Sequence, residues 1–163
     1  MPAASDSPAL ALPHTFRPRG VRIAAYLFGG LLVAVSAVIW FSLPQNVRDQ
    51  FTIFQRGTVI FFGLAACAAG QALARSRIEA RESGVTVVNG FKSRVYDWNE
   101  IVALTLGSGS PWAMIDLSDG TSVAAMGIQG SDGARAMTQI RQLRALIVKQ
   151  SRTNRDDGDD RDD

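Results

Sequence analysis

The sequence of 163 residues holds one cysteine and one histidine. A single Cys excludes an intramolecular disulfide framework, and a single His excludes a histidine-clustered metal site. Charge is sparse as well, with Asp, Glu, Lys and Arg making up 20% against 47% hydrophobic residues. A disordered chain, or one that coats nucleic acid, needs more charge and less apolar surface than this. No clustered basic stripe is present to track a phosphate backbone, so nucleic acid is not an expected partner. Net charge is +2 and mean hydropathy +0.07, two averages that conceal unlike segments. Residues 1–22 carry Arg17, Arg19 and Arg22 against Asp6, whereas residues 151–163 carry three Arg against six Asp.

Catalytic constellations are missing too. A nucleophile needs an adjacent base, yet His14 lies in a Pro-containing tail and Cys67 in the middle of an uncharged run. Buried among apolar neighbours, a lone Cys behaves as a small hydrophobe. The carboxylate pairs Asp97/Glu100 and Asp116/Asp119 fall at turn positions, where Asp favours turn geometry. Gly107-Ser108-Gly109 has neither the downstream Lys of a phosphate loop nor the rest of a dinucleotide fingerprint, and reads as a hairpin loop. The sequence therefore predicts no enzyme, no catalytic residue, no cofactor and no metal site.

Two long uncharged runs are present instead. Residues 23–43 are 21 positions without a charge, and residues 57–74 are 18 more, bounded by Arg56 and Arg75. As helices they measure roughly 31 and 27 Å, close to a hydrocarbon core about 30 Å thick. Tyr26 lies near one end of the first run and Trp40 and Phe41 near the other, at the depth where amphipathic rings favour headgroups. The reading is a transmembrane helical hairpin with a lipid bilayer as its surroundings. Arg17, Arg19 and Arg22 precede it and Arg75, Arg77 and Arg81 follow it, against Arg48 and Arg56 in the connecting loop. The positive-inside rule then places both termini in the cytoplasm of a multi-pass cell-membrane protein. Small residues recur at helical spacing, Gly30, Ala34 and Ala37 in one span and Gly63, Ala66 and Gly70 in the other. They suit packing of the hairpin on itself, with a homodimer as the alternative. Neither span has an ionisable residue in its interior, so no ion path is marked.

Residues 75–150 read as a separate β-rich domain closed by a helix. Period-two alternation or turn punctuation marks six strands, at 77–81, 85–89, 93–97, 102–106, 113–117 and 121–126. Asn89-Gly90 and Asp119-Gly120 are tight-turn signals between them. Six short strands at this spacing predict a barrel or sandwich. Ser131 or Asp132 then offers an N-cap, and Ala136, Ile140, Leu143 and Ile147 form one apolar helical stripe. Arg141, Arg144 and Lys149 crowd the end of this helix, where its dipole favours cations. Ser76-x-x-Glu79 competes with the first strand, since it is also a capping box. The tails at 1–22 and 151–163 are expected to be disordered, the first basic and the second Asp-rich.

Two spans, six or seven short strands and a C-terminal helix resemble actinobacterial membrane proteins with a bacterial pleckstrin-homology (PH)-like domain. The type is that named after low-molecular-weight protein antigen 6. The residues that carry the resemblance are Tyr96-Asp97-Trp98-Asn99-Glu100-Ile101, and Asp116-Leu117-Ser118-Asp119-Gly120-Thr121 followed by Met126-Gly127-Ile128. The resemblance implies a PH-like barrel of six or seven antiparallel strands with a C-terminal helix plugging one open end, and it implies no catalytic chemistry.

The functional expectation is a non-enzymatic interaction or scaffold module at the inner face of the cell membrane, with an unidentified protein partner. The alternative is a sensor of anionic lipid headgroups. Its candidate contacts are Arg75, Arg77, Arg81, Lys92 and Arg94, since each basic group near an anionic leaflet contributes about 1 kcal/mol. Trp98 is expected in the core, and Trp112, after a Gly/Ser loop, is the candidate partner-facing aromatic.

Overall fold

The computed structural model describes residues 10–159, with side chains through residue 151. The expectations for residues 1–9 and for the side chains of the Asp-rich tail lie outside the described residues. The chain divides into two compact units. One is residues 19–75, and the other joins the described residues up to Pro18 to those from Ser76 onward.

The first unit is helical. Helix α1 spans Gly20–Ser42 and α3 spans Ile53–Arg75, each 23 residues, with a single turn, α2 (Gln45–Arg48), between them. Leu43 ends α1 in an extended conformation because the ring of Pro44 disfavours a helical residue before it. Helix α3 starts four residues ahead of the expected Gly57 because Thr52 and Gln55 form a capping box. The Thr52 amide donates to Gln55 Oε1 at 3.0 Å, and the Gln55 amide donates to Thr52 Oγ1 at 3.3 Å. Arg56 closes the connection, donating to the carbonyls of Arg48 (2.7 Å) and Phe51 (3.1 Å) with its guanidinium 5.4 Å from the Trp40 ring centre. Both long helices are long and apolar enough to cross a membrane, and no residue of α1 is buried. Of the small residues, Gly70 faces Ala25 across the pair at contact distance, whereas Gly30 and Gly63 meet nothing nearby.

The second unit holds seven strands among the described residues, in two antiparallel sheets. Strands β1 (His14–Phe16), β2 (Arg77–Arg81), β3 (Gly84–Asn89) and β4 (Lys92–Tyr96) lie in that order in one sheet. Strands β5 (Ile101–Thr105), β6 (Trp112–Leu117) and β7 (Ser122–Gln129) form the other. Helix α4, Ala134–Asp159, packs against β5 and β7. Ser76-x-x-Glu79 does not start a helix: β2 begins at Arg77, and Ser76 just before it is buried with its Oγ accepting the Gly90 amide at 3.0 Å.

Four expectations need correction. The segment 1–22 is not all a disordered tail, because β1 pairs with β2, setting Phe16 opposite Ile78 and burying it in the core. The two sheets are separate ladders and do not close into a barrel. They face each other instead, β7 lying against β2 and β3. The residue that precedes the terminal helix is Gly133, not Ser131 or Asp132. Gly130–Asp132 is a 3-10 turn, and Gly133 at φ +55° redirects the chain into α4. That helix also runs past residue 150 to Asp159.

The close approach of the sheets depends on Gly127. A Cβ there would lie 2.7 Å from the backbone carbon of Arg77 and the nitrogen of Ile78. Backbone cannot yield as a side chain can, so Gly127→Ala is expected to destabilise this unit by about 1–3 kcal/mol. Thermal unfolding followed by near-ultraviolet circular dichroism checks it; an unchanged midpoint would contradict the packing. Asn89 ties the same junction, donating from Nδ2 to the Ala124 carbonyl at 2.5 Å and accepting the Met126 amide at 3.1 Å.

Candidate functional site

The core is built around Trp98, which is 1% exposed, together with Phe16, Ile78, Val85, Ile115 and Ile128. Ala136, Ile140, Leu143 and Ile147 of α4 join it as the apolar stripe predicts. Trp98 also satisfies its indole N–H, which donates to the carbonyls of Arg81 (3.0 Å) and Glu82 (3.1 Å). Arg144 lies in the terminal helix but does more than oppose its dipole: Nε donates to the Leu104 carbonyl of β5 at 2.8 Å.

The titratable pairs are engaged in local structure. Asp97 and Glu100 form the capping box of the 3-10 turn Trp98–Glu100, with the Asp97 amide donating to Glu100 Oε2 at 2.9 Å. Asp116 accepts the Ser122 hydroxyl at 2.6 Å. Asp119 Oδ1 accepts the hydroxyl and amide of Thr121, bonds that hold its carboxyl below the usual aspartate range. His14, on β1, stacks edge-on with Phe16, and burial lowers its pKa from the ordinary imidazole value. Cys67 lies in α3. Among the described residues no three His, Cys, Asp or Glu side chains are grouped to hold a metal.

The five basic candidates lie on different elements. Arg75 ends α3 in the helical unit. In the four-stranded sheet, residues directly opposite share a face and alternate residues change face. Arg77 pairs with Val88 and Arg81 with Gly84, one position out of step with Ile78 and Ala80, which point into the core. Arg77 and Arg81 therefore lie on the outer face. There they flank Glu79, with contacts of 2.6 and 2.8 Å to its two carboxylate oxygens. Both hydrogen bonds hold the Glu79 carboxyl below its ordinary range.

Lys92 and Arg94 lie on the opposite face. Arg94 is in register with Val87 and Tyr96 with Val85, both core residues, and Lys92 precedes them on the same side. The two cations line a cleft of about 180 Å³ with Val87, Asn89, Tyr96 and Val123. No acidic residue lines it, and neither cation makes an ion pair among the described residues. Tyr96 is 7% exposed, and its buried hydroxyl has no hydrogen-bond partner among the described residues.

Trp112 starts β6 half-buried opposite Gln129. The more exposed apolar groups of this unit are Phe91, Val95 and Val102. These three, and Tyr96, were not named as candidate contacts from the sequence. Val95 carries the readable signal: it alternates with Arg94 and Tyr96 on a short strand, which sets it on the face away from the core.

Residues 75–146 match the family model of the bacterial PH domain. The chain is similar to "Uncharacterized protein Rv1417" of Mycobacterium tuberculosis and "Uncharacterized protein Mb1452" of Mycobacterium bovis. Each is 29% identical over 127 residues, covering 77% of this chain and 75% of the relative. No solved structure matches the chain. The chain thus carries two apolar helices followed by a segment, 75–146, that matches the bacterial PH domain.

Proposed function

We propose that this chain is a membrane-anchored, non-enzymatic PH-like module that holds a protein partner at the inner face of the cell membrane. One observation carries the reading: strand β1 precedes the apolar helix pair, and its sheet partner β2 follows it. A bilayer crossed by both helices leaves His14–Phe16 and Arg77–Arg81 on one side, as their pairing requires. A single crossing would part them. The surplus of arginines on these flanks over the connecting loop favours the cytoplasmic side. The engaged state of the carboxylate pairs supports a binding role rather than a catalytic one. The division of the basic residues between two faces favours a protein over a lipid surface as the partner, because headgroup binding draws on clusters of about 4–8 cations.

Affinity capture of the full chain from mildly solubilised membranes tests this reading. A reproducible partner, released when the exposed surface of β4 is altered, is expected. Recovery of none under several mild detergents would contradict it.

A further inference from the structure

We propose that the open edge of β4 docks an acidic, extended segment of the partner, whose carboxylates meet Lys92 and Arg94. The inference rests on the interaction-module reading and names the partner's chemistry. Strand β4 is the outermost of its sheet, so one side of its backbone has no ladder partner among the described residues. Four of its five residues are exposed. A free edge invites strand addition, and inward-pointing charge is one common guard against it. A guard accounts for a lysine or an arginine here, but not for the cleft beneath them.

That cleft is lined by two cations with no acceptor of their own and by the Tyr96 side chain. Lys92 and Arg94 are unpaired among the described residues, and the Tyr96 hydroxyl is buried without a partner. Two exposed cations with no acidic neighbour specify an anionic acceptor, and a carboxylate meets that demand. At about 180 Å³ the cleft is smaller than the roughly 300–1,000 Å³ of small-molecule pockets, and suits one side-chain group rather than a cofactor.

Strand addition supplies the rest of the geometry. An incoming strand presents alternate side chains to one face, at the spacing that separates Lys92 from Arg94. The favoured segment is therefore acidic at every second residue. The residue between meets the other face of β4, where Val95 is 70% exposed, and is apolar.

The test uses the full chain in neutral-lipid nanodiscs and a fluorescent synthetic peptide alternating Glu and Val. Saturable binding is expected, weakened about tenfold by Lys92→Gln or by Arg94→Gln and about tenfold when Gln replaces Glu in the peptide. Lys92 and Arg94 are exposed, so their variants should keep the unfolding temperature of the parent chain. Equal peptide binding by the Lys92→Gln/Arg94→Gln double variant overturns the site, as does the absence of saturable binding. Binding to phosphatidylglycerol nanodiscs in place of the peptide, lost in the double variant, would assign the cleft to headgroups and overturn it as well. Failure with the peptide while membrane capture still recovers a partner removes this site and leaves the module reading standing.

Discussion

Trp98→Ala is expected to lower the unfolding midpoint of the sheet unit by at least about 12 °C. Removing a fully buried Trp costs about 3–5 kcal/mol, and each kcal/mol shifts a domain of this size by about 4–8 °C. Two effects add at this position. The ring fills the centre of the core, and its N–H is the donor that answers the carbonyls of Arg81 and Glu82 at the β2–β3 turn. The variant leaves a cavity and unpaired carbonyls together. It also loosens α4, whose Ser151 hydroxyl donates to the Trp98 carbonyl at 3.2 Å from a position set by the 3-10 turn. Thermal unfolding read by near-ultraviolet circular dichroism suits the full chain in detergent, because the two long helices dominate the far-ultraviolet signal. Trp112→Phe is the control: half-buried at a strand end, it should move the midpoint little. Equal effects of the two substitutions would contradict the placement of the core.

Phe16→Ala is the second large effect, about 3–5 kcal/mol from the same mechanism. It lies some sixty residues from the rest of its sheet in sequence, on the far side of the helix pair, yet is 1% exposed. Leu10 and Leu12 pack against the same core, and Pro18 is fully buried at the exit towards α1. A domain of this kind has about 5–15 kcal/mol in total, so losing this contact removes a large share. Removal of residues 1–18 is expected to be worse than Phe16→Ala, since it also strips the hydrogen bonds of β1 from the edge of β2. Limited proteolysis of the full chain and of the two variants measures it. Resistance equal to the parent chain in both would show that β1 is dispensable.

Most of the second unit was legible in the sequence because each strand announces itself locally. The alternation at Arg77–Arg81 and the turn signals at Asn89-Gly90 and Asp119-Gly120 fix strands and boundaries within three residues. Strand β1 was not, because its partner is sixty residues away and three residues between a proline and an arginine carry little propensity. A faint signal was there in the alternation of Leu10, Leu12 and Phe16. How the candidate basic residues divide between faces was not legible for a different reason. Counting charges along the chain ignores the pleat, and only pairing shows that Arg77 and Arg81 face away from Lys92 and Arg94. The two-residue turn setting Asn89 opposite Lys92 held half of that information. The orphaned Tyr96 hydroxyl could not have been read, since burial and the lack of a partner are properties of the packed fold.

The central claim is that one PH-like unit is assembled from both flanks of a helix pair that crosses the bilayer twice. Topology reporters fused after Asp163 and inserted at Gln50, in the α1–α3 connection, measure it in living cells. The account predicts a cytoplasmic signal after Asp163 and an external signal at Gln50. Both reporters on the same side would contradict it.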